Sequence, residues 1–201
     1  MGCAYRDTNS FCANLSEIAR EKLCPHCQIV QLKKGQQISR TIRPNSMGVV
    51  LSGVLAMEVP VRDGGPFSTC IVSEGELVNI IGMVGETRRY DSAFNKSHRT
   101  VAVVDTWAAL FPITVANELF FDCSLFARAL FEASVDRARM FIEVLEWSKA
   151  GNSVERVAHL MEQFEAVGVD SADVTHETIG KILGMNRVTV TRAMSKLLRE
   201  R

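Results

Sequence analysis

Apolar residues first recur at helical spacing from about Phe11 to Leu23. Phe11, Leu15, Ile18, Ala19 and Leu23 share one face, and Pro25 ends the run. Residues 28 to 113 then change period. Short β-branched runs occur at 28–32, 48–51, 54–59, 69–72, 100–104 and 108–111, punctuated by Lys34-Gly35, Ser52-Gly53, Asp63-Gly64-Gly65-Pro66, Glu74-Gly75-Glu76 and Pro112. Strands this short and evenly spaced predict an antiparallel barrel, roll or sandwich. Asp63-Gly64 is the clearest hairpin turn.

No proline follows Pro112, and the period becomes helical again. One long helix is predicted from about Glu118 to Lys149, with a break near Asp122-Cys123-Ser124. Within it Phe131, Val135, Ala138, Ile142 and Leu145 follow the 4-3-4-3 spacing of a helix-pairing seam. Phe126, Leu130, Met140, Phe141 and Val144 lie largely off that seam. A helix with two apolar faces needs two partners, and the sequence after it is short. The seam is therefore expected to pair with its copy in a homodimer. Ala150-Gly151-Asn152 is a linker, Ser153 is a candidate N-cap for a helix ending near Val167-Gly168, and two shorter helices follow.

The chain has 201 residues, 47% hydrophobic and 23% charged, enough to bury a core and unlike a disordered or fibrous composition. Lysine plus arginine and aspartate plus glutamate both number 23. That zero balance argues against a nucleic-acid binder until its distribution is read. Residues 178–201 carry six basic groups against one acidic, whereas residues 149–177 carry two basic against six acidic. The basic excess is confined to the last two predicted helices.

Those two helices carry the strongest signal in the chain, from Thr175 to Met194. A tight crossing of two helices needs a minimal side chain at the contact, which Gly180 supplies. Four residues later the turn needs a residue that accepts positive φ, which is Gly184. Val190 is the branched residue to be buried, with Ile179, Leu183, Met185 and Leu197 completing a small core. Thr175 and Asn186 are candidate caps. Arg187, Val188, Thr189, Thr191, Arg192 and Lys196 then face away from that core, the pattern of a helix-turn-helix that lays its second helix in a DNA major groove. A helical tail that mediates only protein contacts, attached to a ligand- or metal-binding module, is the alternative.

With those residues in place, the chain from about residue 11 to 198 resembles the superfamily of the cyclic-AMP receptor protein and the fumarate-nitrate reduction regulator, the CRP/FNR type. Leu15-Ser16, Lys34-Gly35-Gln36, Leu51-Ser52-Gly53-Val54, Gly75-Glu76-Leu77, and Asp105-Thr106 leading to Phe111-Pro112 match in order. The resemblance implies an α+β chain in four parts. These are an N-terminal Cys-rich helical segment (1–27), a jelly-roll domain of the cyclic-nucleotide-binding, double-stranded β-helix kind (28–113), a dimerisation helix (114–149) and a DNA-binding helix-turn-helix domain (150–201). It also implies a bacterial-type transcription regulator, homodimeric, reading two half-sites about one helical turn apart and working with RNA polymerase. It would place a small β-wing beyond Arg201.

The sequence departs from the family's pattern at two sites. The effector pocket would involve Gly75, Glu76, Ile80, Lys96, Ser97, Arg99 and Thr100. Ile80 falls where the family has a ribose-binding glutamate, and Lys96-Ser97 or Arg99-Thr100 falls where it has an Arg-Ser pair for the phosphate. Isoleucine accepts no hydrogen bond and lysine is a point charge, not a planar fork. Cyclic nucleotide is therefore not expected to bind in the usual way. In the recognition helix Val188 replaces a glutamate. Glutamate accepts from cytosine N4 whereas valine can only touch a thymine methyl, so the operator is expected to differ at that base.

Four of six cysteines, Cys3, Cys12, Cys24 and Cys27, crowd the first 27 residues. Four thiolates suffice for zinc or an iron–sulfur cluster. Redox-sensing thiols and unremarkable cytosolic thiols are the other open readings, and the spacing does not copy the tighter cysteine pattern of oxygen-sensing relatives. The four histidines are scattered and no nucleophile–base spacing stands out, so no catalysis is expected. The start lacks the apolar core of a secretory signal and no run reaches membrane-spanning length, so a cytoplasmic, non-membrane protein is expected.

Overall fold

The computed structural model describes residues 5, 8–38, 45–59, 67–80 and 99–200. Its described elements are seven α-helices and eight strands. Helices α1 (Ser10–Asn14) and α2 (Glu17–Leu23) precede strands β1 (Gln28–Leu32), β2 (Gln37–Ile38), β3 (Ser46–Ser52), β4 (Leu55–Val59), β5 (Phe67–Val72), β6 (Leu77–Val78), β7 (Arg99–Ala102) and β8 (Thr106–Pro112). Helices α3 (Ile113–Asp122), α4 (Ser124–Ala150), α5 (Ser153–Ala166), α6 (His176–Leu183) and α7 (Arg187–Glu200) follow.

The strands form two antiparallel four-stranded sheets, ordered β1-β8-β3-β6 and β2-β7-β4-β5. Period-two alternation sorts side chains into layers. Met47, Val49 and Leu51 of β3, with Ala109 and Phe111 of β8, turn outward onto Phe11, Leu15, Leu23, Leu119, Phe126 and Leu130 of the helices. Val50, Leu55, Cys70, Val72, Val78, Ala102 and Leu110 fill the space between the sheets. Val54, Ala56, Ile71 and Val103 emerge from the second sheet and pack on Val157, Leu160, Phe164, Ile179 and Val190 of the C-terminal helices. Strands β3 and β8 are buried on both faces for this reason, which is why their sequences show apolar runs with no alternation.

Several local expectations are corrected. The first helical run is two helices, because the Ser16 hydroxyl accepts from the Ala19 amide at 3.2 Å and starts α2 afresh. Asn152, not Ser153, caps α5: its side chain accepts from the Val154 and Glu155 amides while the Glu155 carboxylate accepts from the Asn152 amide, a reciprocal capping box. Helix α3 begins at Ile113, directly after Pro112. The helical run does break at Cys123, whose extended backbone separates α3 from the 27-residue α4. Asp63-Gly64 lies outside the described residues. No helix among the described residues is long and apolar enough to cross a membrane.

Candidate nucleic-acid interface

Helices α6 and α7 meet across Gly184-Met185-Asn186. Thr175 caps α6, its hydroxyl accepting from the Thr178 amide at 3.1 Å. Gly184 ends α6 at φ 63°, in the left-handed region. A Cβ at Gly180 would fall 2.6 Å from the Met185 carbonyl oxygen, so only glycine permits this crossing. The same carbonyl-rich turn is braced from outside the pair. Arg156 of α5 donates to the Leu183 carbonyl, and burial lowers its guanidinium pKa from the usual value. Asn186 caps α7 by accepting from the Thr189 amide at 2.8 Å and the Thr189 hydroxyl at 3.0 Å.

With Val190 and Ala193 buried against α5 and α6, the outer face of α7 follows by periodicity. Arg187, Thr191, Arg192 and Lys196 are exposed, and Val188 is 58% exposed, a large fraction for a valine beside a core. Thr189 is half-buried and used in capping. The Thr191 hydroxyl donates to the Arg187 carbonyl at 2.9 Å and lies 2.9 Å from His176 Nδ1, joining the two helices at the exposed surface. Glu177 is bound by Lys181 at 2.9 Å, and this contact, with the Lys181 and Arg187 charges, holds its carboxyl below the ordinary range. The outer side of α7 thus presents two guanidiniums, an ammonium, a hydroxyl and the apolar side chain of Val188, with Leu198 also exposed nearer its C-terminal end.

The other sequence-selected sites are placed as follows. The Glu76 carboxylate accepts from the Ser73 amide and, at 2.9 Å, from the Ser73 hydroxyl, which closes the β5–β6 turn. A Cβ at Gly75 would overlap the Ser10 hydroxyl of α1. Both residues border a cleft of about 470 Å³ between that turn, α1 and α4, lined also by Arg128, Glu132 and Arg137. Arg99 and Thr100 sit on β7 of the other sheet, paired with Glu58 and Met57. Lys96 and Ser97 lie outside the described residues. Ile80 is half-buried, packed against the core formed by β3, β8 and the helices that cover them.

On α4, Phe131, Ile142 and Leu145 are 69%, 55% and 56% exposed, with Ala138 exposed and Val135 half-buried. The opposite face carries Phe126 and Leu130 into the core. Cys12, Cys24 and Cys27 border one small apolar cavity of about 40 Å³ with Phe11, Leu15 and Phe111. Cys3 lies outside the described residues. Among the described residues no three His, Cys, Asp or Glu side chains are grouped so that they could hold a metal ion together.

Three positions escaped sequence reasoning. Arg137 on α4 donates to the Leu77 carbonyl, Arg156 braces the turn, and His176 meets Thr191. Arg156 and His176 each carry one weak signal, a long or polar side chain within the acidic run that precedes the basic helices.

A two-sheet roll, a long helix and a C-terminal three-helix unit with this exposed basic helix make up the described architecture. Solved structures place the fold more narrowly. The chain is 17% identical to a transcriptional regulator described as of the CRP/FNR family from Eubacterium rectale, over 95% of this chain and 87% of that one, with a TM-score of 0.71. It is 13% identical to the c-di-GMP-responsive global regulator CLP of Xanthomonas campestris (92% and 93% covered, TM-score 0.71) and 14% identical to a CooA variant from Carboxydothermus hydrogenoformans (96% and 86%, TM-score 0.65). No protein-family model and no curated protein sequence matches the chain. The chain shares the fold of these solved regulators.

Proposed function

We propose that the protein is a homodimeric, sequence-specific DNA-binding transcription regulator of the CRP/FNR type. The observation that carries this reading is α7 itself. Its inner face is locked by Val190 and Ala193 while Arg187, Val188, Thr191, Arg192 and Lys196 stand outward on a helix fixed by the Gly180 crossing. Residues 150–201 act as the helix-turn-helix domain, with Thr175, Asn186 and Thr189 fixing helix starts and the exposed residues meeting bases and phosphates. Arginine is suited to guanine O6 and N7, and Val188 to a thymine methyl.

Residues 114–149 act as the dimerisation helix. Pairing of two α4 helices through Phe131, Val135, Ala138, Ile142 and Leu145 covers the exposed seam and sets two α7 helices at the ~34 Å spacing of successive major grooves. The roll of residues 28–113, a jelly roll by its strand order, acts as the sensor domain and does not take cyclic nucleotide in the usual way. Residues 1–27 contribute thiols whose oxidation state is a candidate signal. The protein works by binding, in the cytoplasm and with RNA polymerase as a further partner, and not by catalysis.

A selection of duplexes from a random-sequence pool tests the reading. It is expected to return two half-sites one turn apart that differ from the family's common half-site at the base facing Val188. Recovery of no sequence would leave the alternative, a binding module with a protein-docking tail.

A further inference from the structure

The contact between His176 and Thr191 joins the first residue of α6 to the middle of the exposed face of α7. We propose that His176 is a proton-switched phosphate contact, whose imidazolium neutralises one backbone phosphate beside the recognition helix and tightens DNA binding as pH falls. This rests on the DNA-binding reading of α6 and α7.

The Thr191 hydroxyl has a single hydrogen, and it lies 2.9 Å from the Arg187 carbonyl, to which it donates. Its lone pairs are what remain for His176 Nδ1, also at 2.9 Å. With the hydroxyl hydrogen on the Arg187 carbonyl, Nδ1 carries a hydrogen and donates, and the neutral ring leaves Nε2 bare. Nε2 is the nitrogen that gains the next proton, and gaining it leaves the Nδ1 contact intact. A positive charge can thus appear at this surface without moving either helix.

The charged surroundings determine when that charge is useful. On α6 itself the neighbouring Glu177 is engaged by Lys181 at 2.9 Å and so is not a dedicated counter-ion for the histidine. On α7, Arg187 lies one turn before Thr191 and Arg192 is its chain neighbour; both oppose a further cation in the free protein. In the preceding 3-10 turn, the Asp170 carboxylate accepts from the Ala172 amide, while Asp173 is exposed with its carbonyl held by Lys34 of the roll. A duplex brings phosphates that offset all three cations at once. Proton uptake at His176 therefore accompanies DNA binding, and affinity rises as pH falls.

The test uses the full chain and a duplex recovered by the wild-type protein from a random pool at pH 7, with Kd read by fluorescence anisotropy at fixed ionic strength. Wild type is expected to bind about fivefold tighter at pH 6 than at pH 8, in line with one added phosphate contact, and its log K against log salt slope to steepen by about 0.9 at pH 6. His176→Gln should flatten the pH response and keep the shallower slope. His176→Arg should bind tightly at both pH values with the steeper slope throughout. Equal pH dependence in wild type and His176→Gln would overturn the proposal, as would a wild-type affinity that falls on acidification, the sign expected if Nδ1 were the acceptor. In either case retained binding at pH 8 would leave the DNA-binding reading standing. Failure to recover any duplex would overturn both.

Discussion

Arg137 of α4 reaches into the roll, where its guanidinium donates to the Leu77 carbonyl at 2.9 Å and lies 3.1 Å from the Cys70 thiol. Leu77 is in β6 and Cys70 in β5, so one side chain ties the long helix to two strands. Replacing Arg137 by Ala strands a buried carbonyl and removes a charge-assisted bond of roughly 1.5 to 3 kcal/mol. Thermal unfolding of Arg137→Ala should show a clearly lower Tm. A Tm equal to wild type would mean that the contact is incidental.

Glu58 is 8% exposed on the face of β4 that meets the C-terminal helices. Desolvation raises its pKa above the ordinary glutamate value, outweighing the opposing charges of Lys181 and Arg99. Because the folded pKa is raised, the carboxyl's contribution to stability is fully present below the unfolded value and is lost as pH rises through the folded one. Glu58→Gln mimics the protonated form. It should raise the Tm at pH 7 to 8, with the gain vanishing below about pH 4, near the unfolded glutamate pKa. A destabilised variant at neutral pH would show that the ion contacts dominate.

Gly180 has its missing Cβ 2.6 Å from a backbone oxygen, which cannot swing aside as a side-chain tip can. Gly180→Ala should therefore cost about 1 to 3 kcal/mol in the C-terminal helices despite alanine's better helix propensity. Hydrogen exchange would register the loss in α6 and α7 ahead of the roll. Unchanged protection there would contradict the tight crossing.

Phe131 and Ile142 stand on the exposed seam of α4. Carboxylates at both positions, Phe131→Glu with Ile142→Glu, should convert a dimer into a monomer without unfolding it, since neither side chain is in the core. Sedimentation equilibrium decides the point. A wild-type monomer, or a dimer that survives both substitutions, would exclude this seam.

Much of the fold was legible because burial imposes a period. The switch from period two to helical spacing after Pro112 marks where sheet gives way to helix, and the chain breaks at Cys123 where polar residues interrupt the pattern. Two-residue strands such as β2 and β6 are too short to show a period at all. Gly180 and Gly184 announce the α6–α7 turn because glycine alone satisfies its steric demands there. The contacts of Arg137, Arg156 and His176 were not legible, since each links residues far apart in sequence or across a crossing angle that periodicity does not encode. Of the effector positions, Gly75 and Glu76 lie at the β5–β6 turn while Arg99 and Thr100 lie on β7, a pairing across the chain that periodicity does not encode.

The most direct test of the account is the affinity of Arg187→Ala, Arg192→Ala and the double variant for the selected duplex, against a scrambled duplex at the same salt. Bidentate base contacts are worth about 1 to 3 kcal/mol each. The double variant should therefore lose roughly 30-fold or more on the selected sequence and far less on the scrambled one, while remaining a folded dimer. Undiminished discrimination between the two duplexes would contradict the assignment of α7 as the recognition helix.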